Sequence, residues 1–113
     1  MRKVLIVRFS SIGDVIQCLW AADRIRAEWQ DAEIHWLVRE DIQAALGLSP
    51  SIQRIWALPR GSSLIQLLGL AWQLRAQGFT HIYDAHQSLR SGVVRRILRL
   101  TLKQPRILVR GKQ

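Results

Sequence analysis

The sequence has few of the residues that cross-link small proteins. It contains one cysteine in 113 residues, Cys18, so an intrachain disulfide is excluded. The three histidines, His35, His81 and His86, are scattered and form no zinc-type spacing, which argues against a structural metal. Because the apolar fraction is 49%, a disordered chain is excluded, and a single hydrophobic core is expected to hold the fold.

Long hydrophobic runs are also missing. The longest apolar stretch, residues 62–74, is interrupted by Gln66, Gly69 and Gln73, and falls short of the roughly 18–20 residues of a membrane span. The apolar run at the N-terminus meets Arg8 and lacks the small-residue cleavage site of a signal peptide. These two absences predict a cytoplasmic protein.

Acidic residues are absent from the last quarter of the chain. Residues 1–84 carry nine lysines and arginines and eight acids, whereas residues 85–113 carry eight lysines and arginines and no acid. Nearly all of the net charge of +9 therefore lies in residues 85–113. This asymmetry indicates an anionic partner near that end, such as a phosphate, a sugar acid, a nucleic acid or an anionic lipid.

The hydrophobic periodicity alternates between short apolar runs and helical spacing. It predicts five strands, at residues 4–9, 33–38, 52–58, 80–84 and 107–110, and four helices, at residues 14–29, 41–48, 62–77 and 89–102. This alternation predicts an α/β fold, a Rossmann-like parallel sheet with helices on both faces. No helix follows the last strand, so we expect residues 1–113 to be the first part of a larger protein.

Ligands of such sheets lie beyond the carboxyl ends of the strands. Three loops qualify here, at residues 10–14, 59–62 and 84–91, and each carries polar or charged side chains.

The first loop combines two hydroxyls, a glycine and a carboxylate, from Ser10, Ser11, Gly13 and Asp14. Gly13 permits a close approach by a ligand or a helix, and Asp14 has the chemistry of a general base. The same residue types are ordinary helix caps, worth about 1 kcal/mol, and this alternative remains open. The loop has too few glycines for a P-loop or a dinucleotide fingerprint.

The loop after the fourth strand gathers His86, Gln87, Ser88 and Arg90. Arg90 could bind a carboxylate or phosphate through two parallel hydrogen bonds. A helix start capped by Ser88, with Arg90 in solvent, explains the pattern equally well. Arg60, in the remaining loop, is by itself typical of a surface charge.

The fourth helix is basic and amphipathic. Its cations, Arg90, Arg95, Arg96, Arg99 and Lys103, alternate with apolar residues. The ordinary interpretation is an apolar face on the sheet and a charged face in solvent. The alternative is peripheral contact with anionic lipid headgroups.

Residues 4–15, VLIVRFSSIGDV, resemble the N-terminal signature of glycosyltransferase family 9, the bacterial ADP-heptose:lipopolysaccharide heptosyltransferases. Residues 31–38, 51–55 and 79–91 resemble further family segments in the same order. Gln87 and Ser88 depart from the family, which commonly has a glycine there.

The resemblance implies the N-terminal half of a two-domain GT-B enzyme that transfers heptose from ADP-heptose with inversion and without a metal. Residues 1–113 would form the acceptor-binding domain, and the donor would be bound mainly by a C-terminal domain absent from this sequence. Asp14 matches the proposed catalytic base. Ser10, Ser11, Gly13, Arg60, His86, Gln87 and Arg90 match or adjoin positions that contact the acceptor, the Kdo and heptose inner core of lipopolysaccharide.

The resemblance further implies no cofactor, and a cytoplasmic enzyme that works on a lipid-anchored acceptor. The basic fourth helix adds the hypothesis of peripheral contact with the anionic inner membrane. We expect no turnover by these 113 residues alone. Two alternatives remain: a non-catalytic basic module that binds nucleic acid or anionic lipid, and a small flavodoxin-like protein. The first lacks RNA-recognition aromatics and the second lacks an aromatic cofactor loop.

Overall fold

The computed structural model describes residues 2–47, 49–86, 89–99 and 106–109, and for residues 89, 90, 99 and 106–109 only the backbone. The strands are β1 (Lys3–Val7), β2 (Glu33–Arg39), β3 (Arg54–Leu58), β4 (His81–Asp84) and β5 (Arg106–Val109). The helices are α1 (Ile12–Gln17), α2 (Leu19–Glu28), α3 (Gln43–Leu46), α4 (Leu64–Arg75) and α5 (Leu89–Arg99), with a 3-10 turn at Glu40–Ile42.

The five strands form one sheet in the order β3-β2-β1-β4-β5, and every neighbouring pair is parallel. This confirms the predicted fold class and strand number. The chain moves outward from β1 to β3 and then returns to place β4 on the other side of β1. The switch point therefore lies between β1 and β4, where Val7 is in register with Asp84.

The side chains of β1 alternate between two hydrophobic cores. Leu5 and Val7 face a core shared with α4 and α5, whereas Val4 and Ile6 face a core shared with α1, α2 and α3. Because both faces are covered, four of the five β1 residues are buried, as the apolar run predicts.

Three helices differ from the sequence prediction. The helix predicted over residues 41–48 is a 3-10 turn at Glu40–Ile42 followed by the short α3, Gln43–Leu46. The helix predicted over residues 14–29 is divided at Cys18, whose backbone ends α1 and begins α2. The helix predicted over residues 62–77 is shorter, because Ser63 forms a capping box with Gln66 at its start. Gly78, with φ of 72°, follows it as predicted, since the left-handed conformation favours glycine. Among the described residues, no helix is long and apolar enough to cross a membrane.

A buried histidine links the amino-terminal parts of β2 and β3. His35 is 2% exposed, its Nδ1 accepts a hydrogen bond of 2.9 Å from the Trp56 indole, and its Nε2 pairs with the Glu33 carboxylate. Since Nδ1 is an acceptor, the neutral ring carries its proton on Nε2. Burial lowers the pKa of His35, and the Glu33 carboxylate only partly opposes that effect.

We expect stability to fall on mild acidification. A histidine whose folded pKa lies below its unfolded value of about 6.5 binds its proton preferentially in the unfolded state, so stability is lost as pH falls below about 6.5. His86, whose pKa is also lowered, acts in the same direction. Each group can contribute at most about 1.4 kcal/mol per pH unit. Urea denaturation at pH 7.5 and 5.5 measures the difference.

The matched variant is His35→Gln, which keeps an acceptor for the Trp56 indole but does not titrate. It should show a smaller loss of stability between the two pH values than the parent chain. An equal loss in both proteins would mean that His35 does not couple folding to pH.

Candidate active site

The loop after β1 is held close to the sheet before it enters α1. The Arg8 N–H donates to the Leu37 carbonyl at 3.2 Å, and the Phe9 carbonyl accepts from the Arg39 N–H at 3.0 Å. Ser11 is the N-cap residue of α1, so Asp14 lies in the first helical turn. Of the two residue types that the capping alternative named, the serine Ser11 occupies the N-cap, without a side-chain cap hydrogen bond, and Asp14 does not.

Asp14 presents a carboxylate at the carboxyl end of β1. Its side chain is 50% exposed, and its Oδ2 accepts from the Ser11 hydroxyl at 2.8 Å and forms an ion pair with Arg8 Nη2 at 3.0 Å. The Ser11 hydroxyl, and next the Arg8 charge, lower the pKa of Asp14. The carboxylate is thus ionised at neutral pH, oriented from two sides, and still open to solvent.

Arg8 is the site residue that the sequence argument did not single out. Its side chain is 16% exposed, and Nη1 donates to the Ala85 carbonyl at 3.0 Å while Nη2 meets Asp14. It therefore joins the loop after β1 to the loop after β4. Its Nε is buried and has no hydrogen-bond partner among the described residues. The sequence signal for Arg8 was an arginine at the end of an apolar strand, six residues before an aspartate.

The loop after β4 is fixed by backbone bonds to β1. The N–H groups of Ala85 and His86 donate to the Val7 carbonyl at 3.0 and 3.1 Å. The His86 N–H also lies 3.0 Å from Oδ1 of Asp84, which is fully buried. His86 packs edge-on against Phe9, with ring centroids 4.8 Å apart. The loops after β1 and β4 are therefore one connected unit at the switch point.

His86 is a neutral imidazole in this setting. Burial, and next the Arg8 charge, lower its pKa, although Asp84 and Asp14 act in the opposite direction. Its Nδ1 is buried and lacks a partner within the part of the chain that the structure describes. The Arg8 Nε and the His86 Nδ1 are thus two polar atoms near Asp14 that a ligand could satisfy.

Gly13 borders open space, because a Cβ built there meets no atom within 4 Å. None of the described residues makes the close approach that its sequence position suggests, so on their side the space is open to a ligand. Ser10 is half-buried in the same loop.

Arg60 lies at the same edge of the sheet, but after β3, two strands away from β1. It is exposed, and its backbone N–H donates to Glu40 Oε1 at 3.2 Å. Gln87, Ser88 and the side chain of Arg90 lie outside the described residues, so their predicted roles stay predictions. Throughout the described ranges, no cluster of three histidine, cysteine or acidic side chains could hold a metal.

One cation of the basic face predicted for α5 is held in an ion pair. Arg95 Nε lies 2.9 Å from Oδ2 of the buried Asp84, so Arg95, whose side chain is 32% exposed, forms an ion pair with the core and is only partly in solvent. The sequence interpretation was wrong here because it treated each cation of the helix as exposed. Arg96 is exposed as predicted.

Known proteins that match this chain in sequence or fold are longer than it is. The chain is 33% identical over 97 residues to lipopolysaccharide heptosyltransferase 1 of Campylobacter coli, a match that covers 85% of this chain. It superposes on a glycosyl transferase family 9 structure from Veillonella parvula with a TM-score of 0.78, 19% identity and 85% of this chain covered. Over most of its length the chain is therefore similar to part of a heptosyltransferase, and it shares the fold of a glycosyl transferase family 9 structure.

Two heptosyltransferase structures share the fold. The heptosyltransferase WaaC of E. coli, solved with ADP, matches with a TM-score of 0.72 and 20% identity over 95% of this chain and 34% of WaaC. Heptosyltransferase II of E. coli matches with a TM-score of 0.72 and 19% identity over 84% of this chain and 28% of that enzyme. No family model matches the sequence.

The chain is short beside these relatives. It spans 28% of the Campylobacter coli enzyme and 29% of the Veillonella parvula structure. The predicted family resemblance is confirmed, as is the prediction that residues 1–113 correspond to only part of a heptosyltransferase.

Proposed function

We propose that this chain is the acceptor-binding domain of an inverting heptosyltransferase, with Asp14 as the general base. The observation that carries the proposal is the half-exposed Asp14 carboxylate at the switch point, oriented by Arg8 and Ser11. The names of the relatives support heptose as the transferred sugar and lipopolysaccharide as the product class.

In this proposal the acceptor hydroxyl binds beside Asp14. Its oxygen attacks the anomeric carbon of the donor from the side opposite to the leaving group, while the Asp14 carboxylate takes its proton. The new glycosidic bond forms as the bond to the nucleotide diphosphate breaks, and the diphosphate leaves with the electron pair. Since the pKa of Asp14 is lowered, the base is ionised throughout the physiological range and needs no activating step.

The remaining site residues would bind and orient the acceptor. The Kdo inner core is anionic, so its carboxylates suit Arg60 and Arg90. The space in front of Gly13 would admit a sugar ring beside Ser10, and the His86 and Arg8 nitrogens would meet its hydroxyls. Gln87 is the least supported member of this group.

The donor, ADP-heptose, would be bound mainly by protein outside these 113 residues, with no cofactor and no metal in the chemical step. Nucleic acid is not expected as a partner. The acceptor is membrane-anchored, so the enzyme would work at the cytoplasmic side of the inner membrane.

Acceptor binding can be tested on this chain without the donor half. We expect a deacylated, water-soluble Kdo-glucosamine acceptor to shift the amide NMR signals of Gly13, Asp14, Ala85 and His86. Arg60→Gln should weaken this binding about tenfold, because a charge-assisted hydrogen bond to a carboxylate is lost.

Arg24→Gln is the matched control, since Arg24 is an exposed arginine on α2, away from the carboxyl edge of the sheet. It should change the affinity less than twofold. If the acceptor shifts no signal at the loops after β1 and β4, the proposed acceptor site is wrong.

A further inference from the structure

Arg8 links the candidate base to a loop that is distant in the sequence. Its Nη1 donates to the Ala85 carbonyl at 3.0 Å, and its Nη2 lies 3.0 Å from Oδ2 of Asp14. The guanidinium is planar, so its two terminal nitrogens keep a fixed separation. The Arg8 side chain is largely buried, and the packing around it limits the conformations that it can adopt. A displacement of the Ala85 carbonyl is therefore expected to move or weaken the contact with Asp14 as well.

The position of the Ala85 carbonyl is set in turn by the core. The Ala85 N–H donates to the Val7 carbonyl at 3.0 Å, so the backbone here is tied to β1. The next N–H, that of His86, lies 3.0 Å from Oδ1 of Asp84, a carboxylate that is fully buried. Oδ2 of Asp84 accepts from the hydroxyl of Ser91, in α5, at 2.9 Å. The loop after β4 is thus held between β1 and α5.

The second partner of Asp14 is local. Ser11 donates its hydroxyl to Oδ2 of Asp14 at 2.8 Å, and it is the N-cap residue of the same helix. That bond stays within the loop after β1 however the loop after β4 moves. Of these two contacts, the one with Arg8 is therefore the one that depends on the position of the loop after β4.

We propose that Arg8 is a positioning residue that makes the orientation of the Asp14 carboxylate depend on the loop after β4. A ligand that contacts this loop then also acts on Asp14, although Arg8 and Ala85 are 77 residues apart. The inference rests on the proposed function only where it treats Asp14 as the base, since the coupling between the two loops is a property of the chain alone.

A purely electrostatic role for Arg8 predicts the opposite change in rate. The Arg8 charge, after the Ser11 hydroxyl, lowers the pKa of Asp14, so removing Arg8 makes the carboxylate a stronger base. Loss of positioning slows proton transfer, because a displaced base no longer meets the acceptor hydroxyl in the reactive geometry. The sign of the change in kcat therefore separates the two roles.

Ser91→Ala tests the coupling in the 113-residue chain with no substrate present. This neutral change removes a hydrogen bond from Asp84 and leaves the side chains of Arg8 and Asp14 unaltered. The pKa of Asp14, followed by NMR of its side-chain carboxyl carbon, should rise, because the Arg8 contact weakens as the loop after β4 loosens. In an Arg8→Gln background, where the pKa of Asp14 is already raised, Ser91→Ala should cause no further rise.

Ser51→Ala is the matched control. Ser51 is also a buried serine that donates to an aspartate, at 2.8 Å to Oδ1 of Asp23, but it precedes β3 and bonds to α2. It should leave the pKa of Asp14 unchanged in both backgrounds. An equal rise from Ser91→Ala with and without Arg8 would overturn the proposal, as would no rise at all or an equal rise from the control.

The reverse direction needs no change at Arg8, so it serves where Arg8→Gln fails to fold by circular dichroism. Coupling between two sites is reciprocal, so Asp14→Asn should shift the amide NMR signals of Ala85 and His86. Asp31→Asn, at the other end of the sheet, should not shift them. Unshifted signals in Asp14→Asn would show that the two loops are independent.

Turnover is measured in a chimera in which this chain replaces the matching 97 residues of the Campylobacter coli enzyme. Arg8→Gln should lower kcat about tenfold and raise KM for the acceptor by no more than about threefold. Arg8→Lys should recover kcat to within about threefold of the parent chimera, because an ammonium has three donors and can still bridge the two oxygens. An increase in kcat in Arg8→Gln, or a loss confined to KM, would contradict a positioning role.

The two proposals fail separately. Full activity in Asp14→Asn would remove the assignment of the base, but it would leave the NMR coupling between the two loops intact. A failed coupling experiment would leave Asp14 as the base and reduce Arg8 to a charge beside it.

Discussion

Asp14→Asn is expected to lower kcat for heptosyl transfer by about 10²–10⁴-fold, the usual contribution of a positioned general base. The amide keeps the size of the carboxylate and can still accept from Ser11, but it cannot take a proton from the acceptor hydroxyl. The assay needs a donor-binding half, which a chimera supplies when this chain replaces the matching 97 residues of the Campylobacter coli enzyme. The 113-residue chain alone is the negative control.

The loss should fall on kcat, with KM for the acceptor changed little, because the base acts in the transition state. Asp31→Asn is the control, since Asp31 is also an exposed aspartate near an arginine, 3.8 Å from Arg2, but it precedes β2 at the other end of the sheet. Activity within about twofold of the chimera is expected for it. A drop confined to KM in Asp14→Asn would assign that carboxylate to binding and not to proton transfer.

The pH profile separates a base from a structural carboxylate. Since Ser11 and Arg8 lower the pKa of Asp14 below 3.8, kcat/KM should stay level from neutral pH down to about 4 and fall only below it. Arg8→Gln removes part of that effect, so the acidic limb should move upward in pH. If the acidic limb of the pH profile does not move in Arg8→Gln, a group other than Asp14 controls the rate.

The fold could be predicted from the sequence because its pattern is simple. Strands buried on both faces are continuous apolar runs, and helices that cover a sheet have one apolar side, so the alternation of the two specifies parallel βαβ units. The same rule places the loops after β1 and β4 at the switch point, and the structure confirms that placement. Glycine at residue 78 ends α4 for a local reason, which a sequence also reveals.

The pairings within the site could not be predicted, because they join residues distant in sequence. Arg8 contacts Ala85, 77 residues away, and no local pattern reports that bond. Arg95 was predicted to be a surface cation because helical spacing indicates the direction of a side chain but not which charged group, here Asp84, lies opposite it. The exposure of Ile65 and Trp72 on α4 was missed for a related reason, since an apolar helix resembles an ordinary core helix until its buried side is known.

Asp84 carries the second large effect, on stability. It is fully buried, and it ends β4 in register with Val7. Its Oδ2 accepts from the Ser91 hydroxyl at 2.9 Å and lies 2.9 Å from Arg95 Nε, while its Oδ1 accepts from the His86 N–H. One carboxylate thus ties the end of a central strand to α5 and to the candidate site.

Asp84→Leu should lower the free energy of unfolding by about 3 kcal/mol, because it removes the partner of the Arg95 charge and the acceptor of the Ser91 hydroxyl, while the His86 N–H keeps only the Val7 carbonyl. Urea denaturation at pH 7.5 measures the loss. Against a total stability of about 5–15 kcal/mol, a change of this size is large. Asp84→Asn keeps an acceptor for Ser91 and His86 and should lose less, and the difference isolates the charge.

The double variant Asp84→Leu/Arg95→Leu decides whether the loss of stability comes from the broken ion pair or from the change in side-chain volume. If an unpaired charge causes the destabilisation, removing Arg95 as well should restore part of it, so that the double variant is more stable than Asp84→Leu alone. Additive losses would instead mean that each side chain contributes only its own packing. In the first case the His86 loop should also loosen in Asp84→Leu/Arg95→Leu, since its N–H still lacks the carboxylate. Amide exchange at His86 would then be faster in that protein even where its stability has recovered.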